Sequence, residues 1–120
     1  MQRFTELRVW QRSHASVLSI YRLTSHFPSE ERYGLTSQLR RAALSVPTNI
    51  AEGSKRLSRQ DYSRFLNIAE GSLAETEYLI MVSRDLGYIQ IGDSERLLAE
   101  LTEIGSMLNA LRSKVARVIR

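Results

Sequence analysis

The chain has 120 residues, 42% hydrophobic and 25% charged, with a net charge of +4 and no cysteine. That length suits a single domain, residues 1–120, around one core, and the composition excludes a disordered tail, a disulfide scaffold and a thiolate metal site. No apolar run approaches the ~20 residues that a membrane-spanning helix needs, and the N-terminal Met1–Arg8 segment lacks the apolar centre of a signal peptide, so a cytoplasmic protein with no membrane partner is expected.

In chain order, Thr5 is placed to cap a first helix whose apolar stripe runs Leu7, Trp10, His14, Val17 and Tyr21, widened by Val9, Leu18 and Ile20, and which ends near His26. Phe27-Pro28 breaks that pattern, and Ser29-Glu30-Glu31-Arg32 reads as a short turn ahead of Gly34. Thr36 is then the expected cap of a second helix running to about Gly53, where glycine permits a left-handed stop. Its stripe, Leu35, Leu39, Ala42, Val46 and Ile50, passes straight through Pro47. An interior proline deletes one backbone hydrogen bond and presses its ring on the carbonyl four residues back, at a cost of about 3 kcal/mol. A helix bent at Pro47 and held by packed neighbours is therefore expected.

Lys55-Arg56-Leu57 forms a tight connection, which makes helices two and three antiparallel. Ser58 with Asp61 provides a capping signal for helix three, whose stripe of Tyr62, Phe65, Leu66, Ala69, Leu73, Thr76, Ile80 and Ser83 leads to Asp85 or Leu86 and a stop at Gly87. Asp93 or Ser94 should cap helix four, whose seam is Leu97, Leu101, Ile104, Leu108, Leu111, Val115 and Val118. With no strand alternation anywhere, the fold class is all-α: an antiparallel up-down four-helix bundle with a proline-bent second helix. The hexamer Asn49–Ser54 recurs unchanged as Asn67–Ser72. Its flanks differ, so it marks a shared local packing solution, and mid-helix Gly71 points to a close helix crossing.

Chemistry is thinly represented. Two histidines, no Gly-rich phosphate loop and no His-Glu-x-x-His pattern leave no catalytic residue, cofactor or metal site to name. His14 sits on the apolar stripe as a core or interface residue, and His26 at a helix end should meet the last carbonyls. Asn49, Glu52 and Glu70 form a candidate structural polar network, with Arg64 bridging to Glu52 or Asn49 and Arg41 opposite Ser72, paired to Glu70.

Charge is unevenly spread: residues 1–64 hold 11 Lys/Arg against 5 Asp/Glu, residues 65–104 hold 2 against 8, and residues 105–120 hold 4 against none. Either the blocks neutralise one another within the bundle or between subunits, or the basic ones form a nucleic-acid surface. Candidates for the latter are Arg40, Arg41, Lys55, Arg56, Arg59 and Arg64 around the second turn of the bundle, with Arg112, Lys114, Arg117 and Arg120 closing the chain. Without a helix-turn-helix pattern, base-specific duplex reading is not expected.

Several separated motifs occur in order: Leu7-Arg8-Val9-Trp10-Gln11, Phe27-Pro28, Tyr33-Gly34-Leu35-Thr36-Ser37-Gln38-Leu39-Arg40-Arg41-Ala42, Ser45-Val46-Pro47-Thr48-Asn49-Ile50-Ala51-Glu52-Gly53 and Phe65-Leu66. In these the chain resembles the bacterial 23S ribosomal RNA intervening-sequence proteins. The resemblance implies a four-helix bundle and a homopentamer. It also implies kinship with the accessory variability determinant of diversity-generating retroelements, a basic pentamer that engages a reverse transcriptase and nucleic acid. A reverse-transcriptase partner would follow for this chain only where one is encoded nearby. The function expected is a non-enzymatic oligomeric adaptor contacting RNA or DNA through basic surface residues, the alternative being a protein-interaction scaffold.

Overall fold

The computed structural model describes residues 3–117, so the expectations on Val118 and Arg120 lie outside the described residues. Four helices carry the fold: α1 (Arg8–Thr24), α2 (Leu35–Ser54), α3 (Arg59–Asp85) and α4 (Ile91–Arg117). Short 3₁₀ turns at Phe4–Glu6 and Ser29–Glu31 precede α1 and α2. Each helix packs on its two neighbours around the ring, α1 on α2, α2 on α3, α3 on α4 and α4 on α1, while the backbones of the diagonal pairs stay apart. This is the up-down bundle expected. Ile20, Leu39, Ile50, Leu66, Ile80, Ile104 and Leu108 fill its axis with no exposed surface to speak of. No helix among the described residues is long and apolar enough to cross a membrane.

Helix ends follow local chemistry where a side chain can reach an orphan amide. Ser58 Oγ accepts the Asp61 amide at 3.0 Å, the N-cap expected for α3. At the other end of α3, Gly87 adopts φ 81°, and the Gly87 and Tyr88 amides donate to the Arg84 and Ser83 carbonyls at 3.0 and 2.9 Å. That double bond is a Schellman closure, as the glycine suggested. Elsewhere the boundaries differ. Thr5 lies inside the first 3₁₀ turn and Leu7 occupies the N-cap of α1. Gly34, not Thr36, precedes α2, because the Glu31 carboxylate accepts the Leu35 amide at 3.2 Å and does the cap's work from the preceding turn. Helix α4 starts at Ile91, with the Ser94 amide already bonded to the Gln90 carbonyl, so neither Asp93 nor Ser94 is its cap.

Helix α2 runs unbroken through Pro47, which is buried beside Val46 and Ala43. It also continues past Gly53, whose φ is not positive. Gly53 is instead the point of close approach: a Cβ built there would stand 2.7 Å from Phe65 Cβ and 3.1 Å from Tyr62 Cδ1. Gly71, where the crossing was expected, has nothing within 4 Å and is exposed. In α1 the buried face keeps Val9, Val17 and Ile20 of the expected stripe but is rotated toward hydroxyl residues. Val9, Ser13, Ser16, Val17, Ile20 and Thr24 are buried, whereas His14 is exposed and stacks on Trp10 at 5.1 Å between centroids. The His26 side chain is exposed and only its backbone amide bonds a carbonyl, that of Leu23 at 3.2 Å.

Candidate nucleic-acid interface

The basic residues singled out from sequence do not form one cluster. Arg40 and Arg41 lie in the second turn of α2, fourteen or more residues before Lys55, which separates them from the α2–α3 turn by about 20 Å of helix. Arg40 is committed to α1: its Nε donates to Thr24 Oγ1 at 2.7 Å, its Nη2 to the Tyr21 carbonyl at 3.1 Å, and its guanidinium covers the Tyr21 ring at 4.4 Å. A cation there meets the negative end of the α1 dipole. Arg112 is held by Glu70, which also accepts from Asn109 at 3.4 Å.

At the α2–α3 turn, Arg56 and Arg64 lie 4.8 and 4.7 Å from the Phe65 ring centroid. Arg56 Nε also donates to the Glu52 carbonyl at 3.2 Å, and Arg64 pairs with Asp61 at 2.9 Å. Lys55 and Arg59 beside them are exposed and make no ion pair among the described residues. Lys55, Arg56, Ser58, Gln60 and Arg64, together with Asp61, line an open groove of about 550 Å³ here. Antiparallel pairing of Glu70 with Arg112 brings the last turns of α4 level with the first turns of α3, so exposed Lys114 and Arg117 approach the same end of the bundle. Register also puts Arg8, at the start of α1, near this end, because Thr24 meets Arg40 and α1 runs back from there alongside α2. Sequence reading passed over Arg8 because only the antiparallel return of α2 brings it near the turn.

The expected polar network is not built as drawn. Asn49 Nδ2 donates to the Ser45 carbonyl and Ser45 Oγ at 2.7 and 2.9 Å, within its own helix, and Ser45 Oγ meets Ser72 Oγ at 2.7 Å. Thus Ser45, one turn beyond Arg41, faces Ser72. Arg64 reaches neither Asn49 nor Glu52, whose side chain is exposed, and Glu70 turns away from Arg41 toward α4. The register was nearly right; the rotation of each helix about its own axis was not.

A second interhelical ion pair ties α1 to α4: Arg12 bonds Glu100 at 2.6 Å and Glu103 at 3.0 Å. Part of the acidic block is therefore neutralised inside the bundle by α1. The Arg12 hydrogen bond holds the Glu100 carboxyl below its ordinary value, against the opposing pull of burial. A depressed folded value means the pair adds stability above the unfolded carboxylate pKa of about 4.3, and loses it as pH falls through the folded value. Urea midpoints of wild type and Glu100→Gln are expected to differ at pH 7 and to converge as pH drops below about 4. Parallel curves throughout that range would show that Arg12 does not favour the ionised form.

Among the described residues no group of acidic or histidine side chains is placed to hold a metal ion. One solved structure bears closely on the arrangement: a Bacteroides thetaiotaomicron protein of unknown function from the S23 ribosomal protein family, 27% identical, with a TM-score of 0.81 over 88% of this chain and 95% of that one. No curated protein matches the chain. The sequence pattern of the 23S rRNA-intervening sequence proteins matches residues 5–110, nearly the whole bundle. The four-helix bundle, the ordered motifs and that match agree: the chain belongs to the 23S rRNA-intervening sequence protein family.

Proposed function

We propose that this protein is a cytoplasmic, non-enzymatic adaptor that contacts nucleic acid through the basic end of its bundle, acting as a homo-oligomer, a pentamer as the family resemblance implies. One observation carries the reading: Lys55, Arg59, Lys114 and Arg117 gather toward one end without ion pairs among the described residues, beside an open groove. Unpaired surface cations exchange counterions for phosphates, and an oligomer that repeats them multiplies weak contacts into useful affinity. RNA is the favoured polymer, since the family takes its name from 23S rRNA intervening sequences.

Filter binding of a single-stranded RNA at rising salt tests it. Log affinity is expected to fall linearly with log salt at about 0.7 per phosphate contact. Failure to bind at low salt, or binding indifferent to salt, removes the mechanism.

A second reading, a protein-interaction scaffold with no nucleic-acid role, sets the acidic residues of the 65–104 block of one subunit against the basic face of its neighbour. Under it, reversing Arg59 and Arg64 to Glu dissociates the oligomer. Under the first reading the same change weakens RNA binding, chiefly through Arg59, and leaves the mass unaltered.

A further inference from the structure

Among the described residues, Ser16 Oγ is the one side-chain polar atom shut away from solvent with no hydrogen-bond partner. Ser16 lies on the buried face of α1 and is 5% exposed. The hydroxyls at the same level are satisfied: Ser13 donates to the Trp10 carbonyl at 2.9 Å and Thr76 to the Ser72 carbonyl at 2.8 Å. A buried hydroxyl left unpaired forfeits its hydration with nothing in return, which is why such groups almost always have a partner.

A backbone group of α2 is in the same position. Pro47 has no N–H, so the Ala43 carbonyl lacks the helical donor it would otherwise meet four residues on. Ala43 is 4% exposed and Pro47 is buried, which keeps bulk solvent from serving that carbonyl. The α2 side chains that return to the backbone go elsewhere, Asn49 to the Ser45 carbonyl and Ser54 to the Ala51 carbonyl.

Ser16 and Ala43 line one small cavity at mid-bundle, and every residue of its wall is buried. The cavity exists because α1 sets Ser13 and Ser16 opposite Leu73 of α3 and Ile104 of α4, and side chains as short as serine do not fill the axis. About 10 Å³ is open to the centre of a water-sized body, the room that one water molecule needs and too little for a larger ligand.

We propose that this cavity holds a single structural water that ties α1 to the proline-interrupted turn of α2. Ser16 donates its O–H to the water oxygen. The water donates one hydrogen to the Ala43 carbonyl and the other to a lone pair of Thr76 Oγ1, which is free because that hydroxyl acts as a donor toward Ser72. Three hydrogen bonds are what a buried water ordinarily makes. The water supplies the donor that Pro47 removes, and it is held in place from a neighbouring helix. It also fixes how α1 and α2 are turned about their own axes, since only one facing brings Ser16 and Ala43 to the same molecule. The site stands apart from the nucleic-acid contacts and does not depend on them.

The test is water-selective NMR on the full, methyl-labelled chain, together with a double-mutant cycle read by urea denaturation. In the wild type the Ala43, Leu73 and Ile104 methyls are expected to show cross-peaks to water, with the sign of a molecule that stays longer than the protein takes to tumble. Absence of those cross-peaks overturns the site. Ser16→Ala should raise the unfolding equilibrium constant about fivefold, because it leaves the water short of a bond. A dry cavity predicts the opposite sign, since alanine would remove an unpaired hydroxyl and is the better helix former. A stabilised Ser16→Ala therefore also overturns the proposal. In the Pro47→Ala background residue 47 again donates to the Ala43 carbonyl, and Ser16→Ala should shift the constant less than twofold. An equal loss in both backgrounds, as expected of a hydroxyl that bonds only within α1, shows that Ser16 and Ala43 share no water and overturns the bridge.

Discussion

Gly53→Ala is expected to destabilise the protein by about 1–2 kcal/mol, while Gly71→Ala, in the identical hexamer eighteen residues on, stabilises it by up to about 1 kcal/mol. Both changes bring the same gain in helix propensity, about 1 kcal/mol. They differ in what the new methyl meets. At Gly71 nothing lies within 4 Å. At Gly53 the methyl would stand 2.7 Å from Phe65 Cβ, an atom bonded directly to the α3 backbone, so no rotamer change relieves the contact and the two helices must part. Overpacking of this kind costs about 1–3 kcal/mol, which exceeds the propensity gain. Gly53→Val should lie at or beyond the upper figure. Urea denaturation of the three variants checks it. If both alanine variants gain stability alike, the α2–α3 approach at Gly53 is looser than described.

These paired glycines also show where the sequence was legible. Ser58 and Gly87 were readable because a cap or a left-handed closure is settled by residues within one turn. The α4 seam was readable because Leu97, Leu101, Ile104, Leu108 and Val115 are apolar, buried and in phase. The face of α1 was readable only in part, at Val9, Val17 and Ile20. Ser13 and Thr24 count as polar in any periodicity, yet their hydroxyls return to the Trp10 and Ile20 carbonyls at 2.9 and 2.7 Å and then pack as small apolar groups. Gly53 and Gly71 share one local sequence, so only the neighbouring helix tells them apart. Among the candidate site residues, which arginine is free depends on helix rotation, which a register argument does not contain. Glu70 was expected to face α2 and faces α4; Glu52 was expected at the helix interface and faces solvent.

That distinction divides the basic residues into two groups with opposite expected phenotypes. Arg112→Ala should lower stability by about 1–2 kcal/mol and change RNA affinity less than about twofold. Its partner Glu70 is only 22% exposed at the side chain and would keep a single 3.4 Å contact, to Asn109. An orphaned half-buried carboxylate is what costs the energy, so adding Glu70→Gln to Arg112→Ala should recover most of it. Lys55→Glu with Arg59→Glu should do the reverse. Both side chains are exposed and unpaired among the described residues, so stability should stay within about 0.5 kcal/mol. RNA affinity at low salt should fall roughly tenfold per reversed charge, and the salt slope should shrink by about 1.5, because two phosphate contacts are lost. Urea midpoints and filter binding on the same preparations separate the two effects. Should Arg112→Ala weaken RNA binding as strongly as the double reversal, Glu70 does not withhold Arg112 from solvent, and the paired and unpaired arginines belong to one continuous surface.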